Sequence, residues 1–190
     1  MKVWELKAGS VNDYAPLVFA SERDATSGMF DVWGVPLVWS KTPKVEVFIE
    51  PGKKKPKPLA DISALTPGAL AMNEKAKGAL EPFLGKFGEF LAMDCQGEPR
   101  WFYNVTNLVP CIDEAQSVRK PSGAISKEAF SEGKVPQGAV VFKDPLTAPA
   151  AIYITDAGKA TIEKLVAAAD ITGLAVVEPG PGPKKPRPRG

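Results

Sequence analysis

Apolar and polar positions alternate over several short stretches of the chain, which is typical of strands with one buried face. Residues 2–6 and 45–50 show this period of two most clearly. Other short apolar or β-branched runs are bounded by glycine, proline or asparagine, and these also predict strands. They are 15–19, 68–72, 89–94, 99–105, 123–126, 138–143, 151–155 and 173–177.

The most β-prone part of the chain runs from Arg100 to Asp113. Together with the strand before it, this run predicts an antiparallel hairpin that turns at residues 95–98. Successive side chains of a strand alternate between its two faces. We therefore expect Trp101, Tyr103 and Val105 on one face and Phe102 and Asn104 on the other. If Asn104 is buried, its amide should be hydrogen-bonded to neighbouring backbone.

Two stretches predict helices, at about 74–84 and 156–168. Asn73 is a good N-cap for the first helix, and Thr155 or Asp156 can cap the second. Pro82 lacks a backbone N–H, so it should end or kink the first helix. The apolar stripes are Ala76, Leu80 and Phe83 in the first helix, and Ile162, Leu165, Val166 and Ala169 in the second. The pattern predicts an α+β fold, mainly an antiparallel sheet of short strands with two principal helices.

Residues 28–39 are rich in aromatic side chains but contain Gly34 and Pro36. Glycine and proline inside an apolar run indicate a bend or a loop that leads into a short strand. Large aromatic residues are usually buried, so we expect Trp33, Trp39 and Trp101 to be core anchors.

The chain has 190 residues, a length that suits one domain, and we assign residues 1–178 to it. Residues 179–190 are rich in proline, glycine and basic residues and predict a disordered tail. The tail carries four of the positive charges, so the rest of the chain is slightly acidic despite the net charge of +2. A nucleic-acid-binding domain usually has a concentrated basic surface, and the slightly acidic residues 1–178 do not predict one.

No apolar run in the sequence reaches the length of a membrane span, and we expect a cytoplasmic protein.

The chain contains no histidine, so Ser-His-Asp and Cys-His hydrolysis are excluded. Cys95 and Cys111 do not form a Cys-x-x-Cys pair, and they do not predict a zinc site. We expect both to be reduced thiols, partly buried. No glycine-rich phosphate loop is present either. These observations predict a protein without catalytic residues, metal or cofactor.

Two alternatives from other functional classes stay open. Some hydrolases need only an Asp/Glu pair, and the scattered carboxylates that we considered for one are Glu46, Glu50, Asp61, Glu89 and Asp94. Alternatively, the basic tail, with its Pro183–Pro186 pattern, could belong to a non-enzymatic scaffold module. The loop at Lys53–Lys57 is a candidate exposed anchor, although a solvated charged loop is its simpler interpretation.

A set of motifs in a fixed order spans residues 1–178. They are Met1-Lys-Val-Trp-Glu-Leu, Gly34-Val-Pro-Leu with Trp39, Asn73-Glu-Lys-Ala-Lys-Gly-Ala-Leu, Gly88-Glu-Phe-Leu, Trp101-Phe-Tyr-Asn-Val-Thr, Cys111-Ile-Asp-Glu with Ser117, Val141-Phe-Lys, Ile154-Thr-Asp and Thr172-Gly-Leu. In this order they resemble a bacterial immunity-protein family, typified by a myxobacterial protein, that was long a domain of unknown function. The chain departs from the pattern at Asn73, where serine is common, and at Ala92, where proline is typical.

The resemblance implies an intracellular antidote that binds a cognate toxin encoded nearby and blocks its active surface. Such an inhibitor needs shape and charge complementarity over about 800 Å² per partner, and no nucleophile or cofactor. The sequence alone locates neither the binding surface nor the toxin's activity.

Overall fold

A computed structural model of the protein describes residues 2–180. It has an α+β fold with mostly antiparallel sheets, as the sequence predicts. The strands are β1 (Val3–Ala8), β2 (Leu17–Phe19), β3 (Lys44–Val47), β4 (Ile62–Ser63), β5 (Leu70–Met72), β6 (Gly88–Cys95), β7 (Glu98–Val105), β8 (Val118–Arg119), β9 (Ile125–Lys127), β10 (Val141–Phe142), β11 (Tyr153–Thr155) and β12 (Leu174–Val177). The helices are α1 (Glu22–Thr26), α2 (Glu74–Leu84) and α3 (Asp156–Ala168). Most of the predicted tail, residues 181–190, lies outside the described residues.

The larger sheet has six strands in the order β2-β3-β6-β7-β5-β4. Only the β3–β6 pair is parallel. The backbone N–H of Leu17 in β2 donates to the carbonyl of Ala64, just after β4, at 2.7 Å. The two edges of the sheet therefore approach each other, and the sheet curls toward a barrel with an inner and an outer face.

The predicted hairpin is confirmed as β6 and β7, with Leu91 opposite Phe102. Gln96 and Gly97 form its two-residue turn with φ of 56° and 92°, the positive values of a type I′ hairpin turn. The predicted alternation of β7 is also confirmed. Trp101, Tyr103 and Val105 pack into the core shared with the helices, whereas Phe102 packs into the core on the inner face.

The smaller sheet has four antiparallel strands in the order β10-β11-β1-β12. Its Leu6 and Ile154 share one buried cluster with Leu80 of α2, Ile162 of α3 and Tyr103 of the larger sheet. We call this cluster the central core. It contains residues of both sheets and of both principal helices and so packs these elements against one another.

Both principal helices begin where their caps predict. The Asn73 side-chain oxygen accepts from the N–H of Ala76 at 2.9 Å, and the Thr155 hydroxyl accepts from Gly158 at 3.2 Å. Helix α2 continues two residues beyond Pro82, so the proline lies in its last turn. The apolar stripe of α2 is buried against the central core.

The structure differs from the prediction in a few connections. Residues 28–39 contain no strand, and α1 was not predicted. Strand β3 ends at Val47, and Ile49 is exposed, although the alternation continues to residue 50. Residues 118 and 119 form the short strand β8, which is not among the predicted strands. For the strands, pairing with other segments decides where a strand forms, and the local pattern alone does not.

Candidate interaction surface

Trp33 is not a core anchor, because 55% of the residue is exposed. The reason lies in Gly34, whose φ of +84° turns the chain in a way that favours glycine. A Cβ on Gly34 would lie 2.3 Å from Cδ2 of Leu108, so Leu108 packs directly on the glycine backbone. The backbone is thus held against the protein while the Trp33 side chain faces solvent. The sequence carried this signal, since a bend at Gly34 and Pro36 predicts a surface loop.

Trp39 and Trp101 do pack into the interior, in line with the prediction. The Trp39 ring lies 5.0 Å from Phe30 and 5.6 Å from Phe102 between centroids, and its indole N–H donates to the carbonyl of Met29. Trp101 packs against the central core, and its N–H donates to Glu74 at 2.6 Å. The two tryptophans of residues 28–39 therefore differ: Trp39 packs on the core at the inner face, and Trp33 is exposed to solvent.

Three polar side-chain contacts, one buried and two partly buried, hold the backbone of residues 32–37, which we call the platform segment. The Lys143 amine donates to the carbonyl of Val32 at 2.6 Å, and the Asn104 amide donates to that of Val35 at 2.8 Å. The N–H of Leu37 donates to Glu89 at 2.7 Å. Glu89 also accepts from Asn104 at 2.9 Å, which links two of the anchors. Hydrogen bonds in a low-dielectric interior fix the segment strongly.

Lys143 and Asn104 are both fully buried. Burial lowers the pKa of Lys143 to about 7, because removing an ammonium from water is costly and no ion pair within residues 2–180 compensates it. Asn104 confirms the expectation of a buried amide bonded to neighbouring backbone, although its side-chain oxygen has no partner within residues 2–180. No pattern in the sequence marks Lys143 as a buried anchor.

Five exposed apolar side chains lie on and around the platform segment, and we call them the Trp33 surface. They are Trp33, Val35, Val38, Leu108 and Leu146. Leu108 packs on Gly34 and pairs with Lys143 in an isolated bridge, and Leu146 follows in the next turn. Val38 is 93% exposed. Grouped exposed apolar residues are typical of protein-binding surfaces, and tryptophan is enriched among residues that dominate binding energy.

The lysine loop shows the features of a solvated loop. Residues 51–56 carry no strand or helix, and Lys57 pairs with Glu50 at 2.5 Å and donates to the carbonyl of Val11 at 2.9 Å. Since Lys57 is already engaged in these two contacts, it is not free to anchor a partner.

Most of the carboxylates considered for a hydrolase have local structural contacts. Asp61 accepts from the N–H of Thr172 and from the side chain of Asn73, both at 2.8 Å. Burial by itself would raise the pKa of Asp61, but these hydrogen bonds and Lys75 together hold it below its usual value. Asp94 accepts from Gly97 within the hairpin turn. Glu50 pairs with Lys57, and Glu89 accepts from Leu37 and Asn104. Glu46 is exposed on β3.

Cys95 and Cys111 are free thiols, buried in two different clusters. Burial raises the pKa of Cys95, and burial with the nearby Asp144 raises that of Cys111 to about 12. Both thiols therefore stay protonated at neutral pH and are poor nucleophiles. No three acidic or cysteine side chains within residues 2–180 are grouped so that they could hold a metal ion.

Within the described part of the chain, no helix has the length and apolar character needed to cross a membrane. We take the Trp33 surface as the candidate site in residues 2–180, because its exposed apolar side chains lie on and around a backbone held by side-chain hydrogen bonds. No protein-family model matches the chain, and the search of the curated proteins finds no match.

Proposed function

We propose that this protein is a toxin-neutralising immunity protein that binds a cognate antibacterial effector, encoded nearby, and blocks its active surface. The observation that carries the proposal is the Trp33 surface, a group of exposed apolar side chains on a backbone held by buried polar groups. The ordered motifs that resemble an immunity-protein family support the same role. The occupant of the surface is then the toxin.

The geometry suits an inhibitor for two physical reasons. A tight interface needs a few large anchors surrounded by contacts that exclude water, and Trp33 with its apolar neighbours supplies such an anchor. Ordering a loop on binding costs free energy. The contacts to Val32, Val35 and Leu37 reduce this cost, because they already order the backbone in the free protein.

Co-expression with the product of the neighbouring gene tests the proposal. We expect the two proteins to purify as a complex and the growth defect caused by the neighbour to disappear. A neighbour that is not toxic, or whose toxicity persists without complex formation, contradicts the proposal.

Two surface variants locate the interface. Trp33→Ala should weaken the complex by about 2 kcal/mol or more, as expected for an anchor residue, with the fold intact. Val35→Ser should also weaken it. Val118→Ser is the matched control, because Val35 and Val118 are 51% and 54% exposed and Val118 lies on the separate β8–β9 hairpin. Equal effects of the two valine variants would place the interface elsewhere.

A further inference from the structure

A second feature lies at one end of the curled sheet, beside the turn between β6 and β7. A cavity of about 450 Å³ opens there, a volume within the range of small-molecule sites. Cys95 and Arg100 line it together with Leu59, Asn73, Lys75 and Glu98. The proposed function does not use this cavity.

Arg100 is 93% buried, since only 7% of the residue is exposed. One terminal nitrogen, Nη1, donates to the carbonyls of Ala60 and Asp61 at 3.1 and 3.4 Å. The other two nitrogens, Nε and Nη2, make no hydrogen bond to residues 2–180, yet neither is sealed from solvent. Since Arg100 also lines the cavity, these N–H groups are not taken up by residues 2–180 and are free to bind a ligand there.

Arg100 also lacks an ion-pair partner within residues 2–180. The Asp61 carboxylate is nearby but is taken up by Thr172, Asn73 and Lys75. Cys95 is neutral, because burial raises its pKa. A buried guanidinium without a counter-charge is costly, and native proteins normally pair such a group.

The remaining charges around the cavity limit the ligand. The lining contains Glu74 and Glu98 as well as Lys75 and Arg100, so it has no excess positive charge. Glu74 is held by Trp101, while Glu98 is exposed and forms no ion pair within residues 2–180. The two carboxylates repel a multiply charged anion such as a polyphosphate more strongly than they repel a singly charged one.

We propose that this cavity binds a carboxylate, held by the Nε and Nη2 groups of Arg100. These two N–H groups lie side by side in a planar fork, and that spacing matches the two oxygens of a carboxylate. The ligand completes the ion pair that the protein leaves open. The carboxylate belongs either to a free small molecule or to an acidic side chain of a protein.

Titration of the wild-type protein with sodium acetate tests the site, with ionic strength kept constant by sodium chloride. The readout is the Nε–Hε resonance of each arginine in a ¹H–¹⁵N NMR spectrum. We expect a saturable shift of the Arg100 resonance, while the exposed Arg23 and Arg119 do not saturate. No shift, or the same linear shift for all arginines, overturns the proposal and indicates an adventitious ion only. Sodium phosphate that binds more tightly than acetate overturns the carboxylate class.

Variants test the role of the charges. Glu98→Gln should tighten acetate binding several-fold by removing the repulsion, and Glu22→Gln, an exposed change on α1, should leave it unchanged. Arg100→Lys should weaken binding about tenfold or more, because lysine keeps the charge but loses the fork. If Arg100→Lys fails to fold, the Glu98→Gln result still decides: unchanged or weaker binding contradicts the proposal. A capped Gly-Glu-Gly peptide that binds more tightly than acetate identifies a protein side chain as the source, and weaker binding identifies a free small carboxylate.

Discussion

The central core and the platform segment differ in what holds them in place. The central core joins two sheets and two helices through apolar side chains such as Leu80 and Ile162, and its energy comes from removing apolar surface from water. The platform segment has no regular secondary structure and rests on three side-chain contacts to its backbone. Its Val32 side chain is buried in the core on the inner face and Leu37 packs against that core, whereas Trp33 and Val35 are exposed.

The difference shows that the overall stability of the fold and the position of the exposed side chains depend on different interactions. Apolar burial is non-directional, so it sets the overall stability but cannot by itself hold a loop in one conformation. Hydrogen bonds to Val32, Val35 and Leu37 are directional and fix where the exposed side chains lie. The following changes test this division, beginning with the largest expected effect.

Leu80→Ala should destabilise the fold by about 2–5 kcal/mol, because it leaves a cavity in the central core where Leu80 is fully buried. Urea denaturation measures the free energy of unfolding. Val118→Ala, at an exposed position, should change it by no more than about 0.5 kcal/mol. A loss below about 1 kcal/mol for Leu80→Ala would mean that the central core is not the main source of stability.

Lys143→Met should change how stability depends on pH. The folded pKa of about 7 lies below the usual value, so between about pH 10.4 and 7 the unfolded chain binds a proton that the folded chain does not. Lys143 therefore lowers stability progressively as the pH falls through that range, and the loss is complete below pH 7. The methionine variant lacks this loss.

The comparison to measure is the difference in unfolding free energy between wild type and Lys143→Met. It should shift by on the order of 3 kcal/mol between pH 10 and pH 7 in favour of the variant. Subtracting wild type cancels the other titrating groups. Lys86→Met, at an exposed position, serves as the control and should show no such shift. A pH-independent difference for Lys143→Met would show that the lysine keeps its ordinary pKa.

Asn104→Leu should destabilise the fold by roughly 1–3 kcal/mol, because the carbonyl of Val35 and the carboxylate of Glu89 lose a buried donor. Hydrogen exchange at the Leu37 amide should become faster as the platform segment loosens. Asn12→Leu, at an exposed position, should leave both quantities unchanged. Unchanged exchange at Leu37 in Asn104→Leu would show that the platform does not depend on this anchor.

Trp33→Ala should have the smallest effect on stability, within about 0.5 kcal/mol, because the side chain is largely in water. Trp39→Ala, by contrast, removes a ring that packs on Phe30 and Phe102 and should cost more than about 2 kcal/mol. Thermal or urea unfolding measures both. Similar losses for the two variants would mean that Trp33 is packed in solution and not available to a partner.

Much of the regular structure could be predicted because its signals are local. The caps at Asn73 and Thr155, the apolar stripes of both helices and the turn at Gln96-Gly97 act within a few residues. The candidate site was harder to predict. The anchors Lys143 and Glu89 come from segments far from residues 32–37 in the sequence, and charged residues are usually solvated.

By itself, then, the sequence determined the α+β class, both principal helices, the hairpin with its two faces, and the lack of any histidine-dependent chemistry. These follow from periodicity, local capping and residue type, which the chain carries without its fold. Only the tertiary structure decided that Trp33 and Trp39 differ in burial, that Lys143 is buried, and that Arg100 lines a cavity without an ion-pair partner within residues 2–180. Burial depends on which distant segments pack together, and that information is not local.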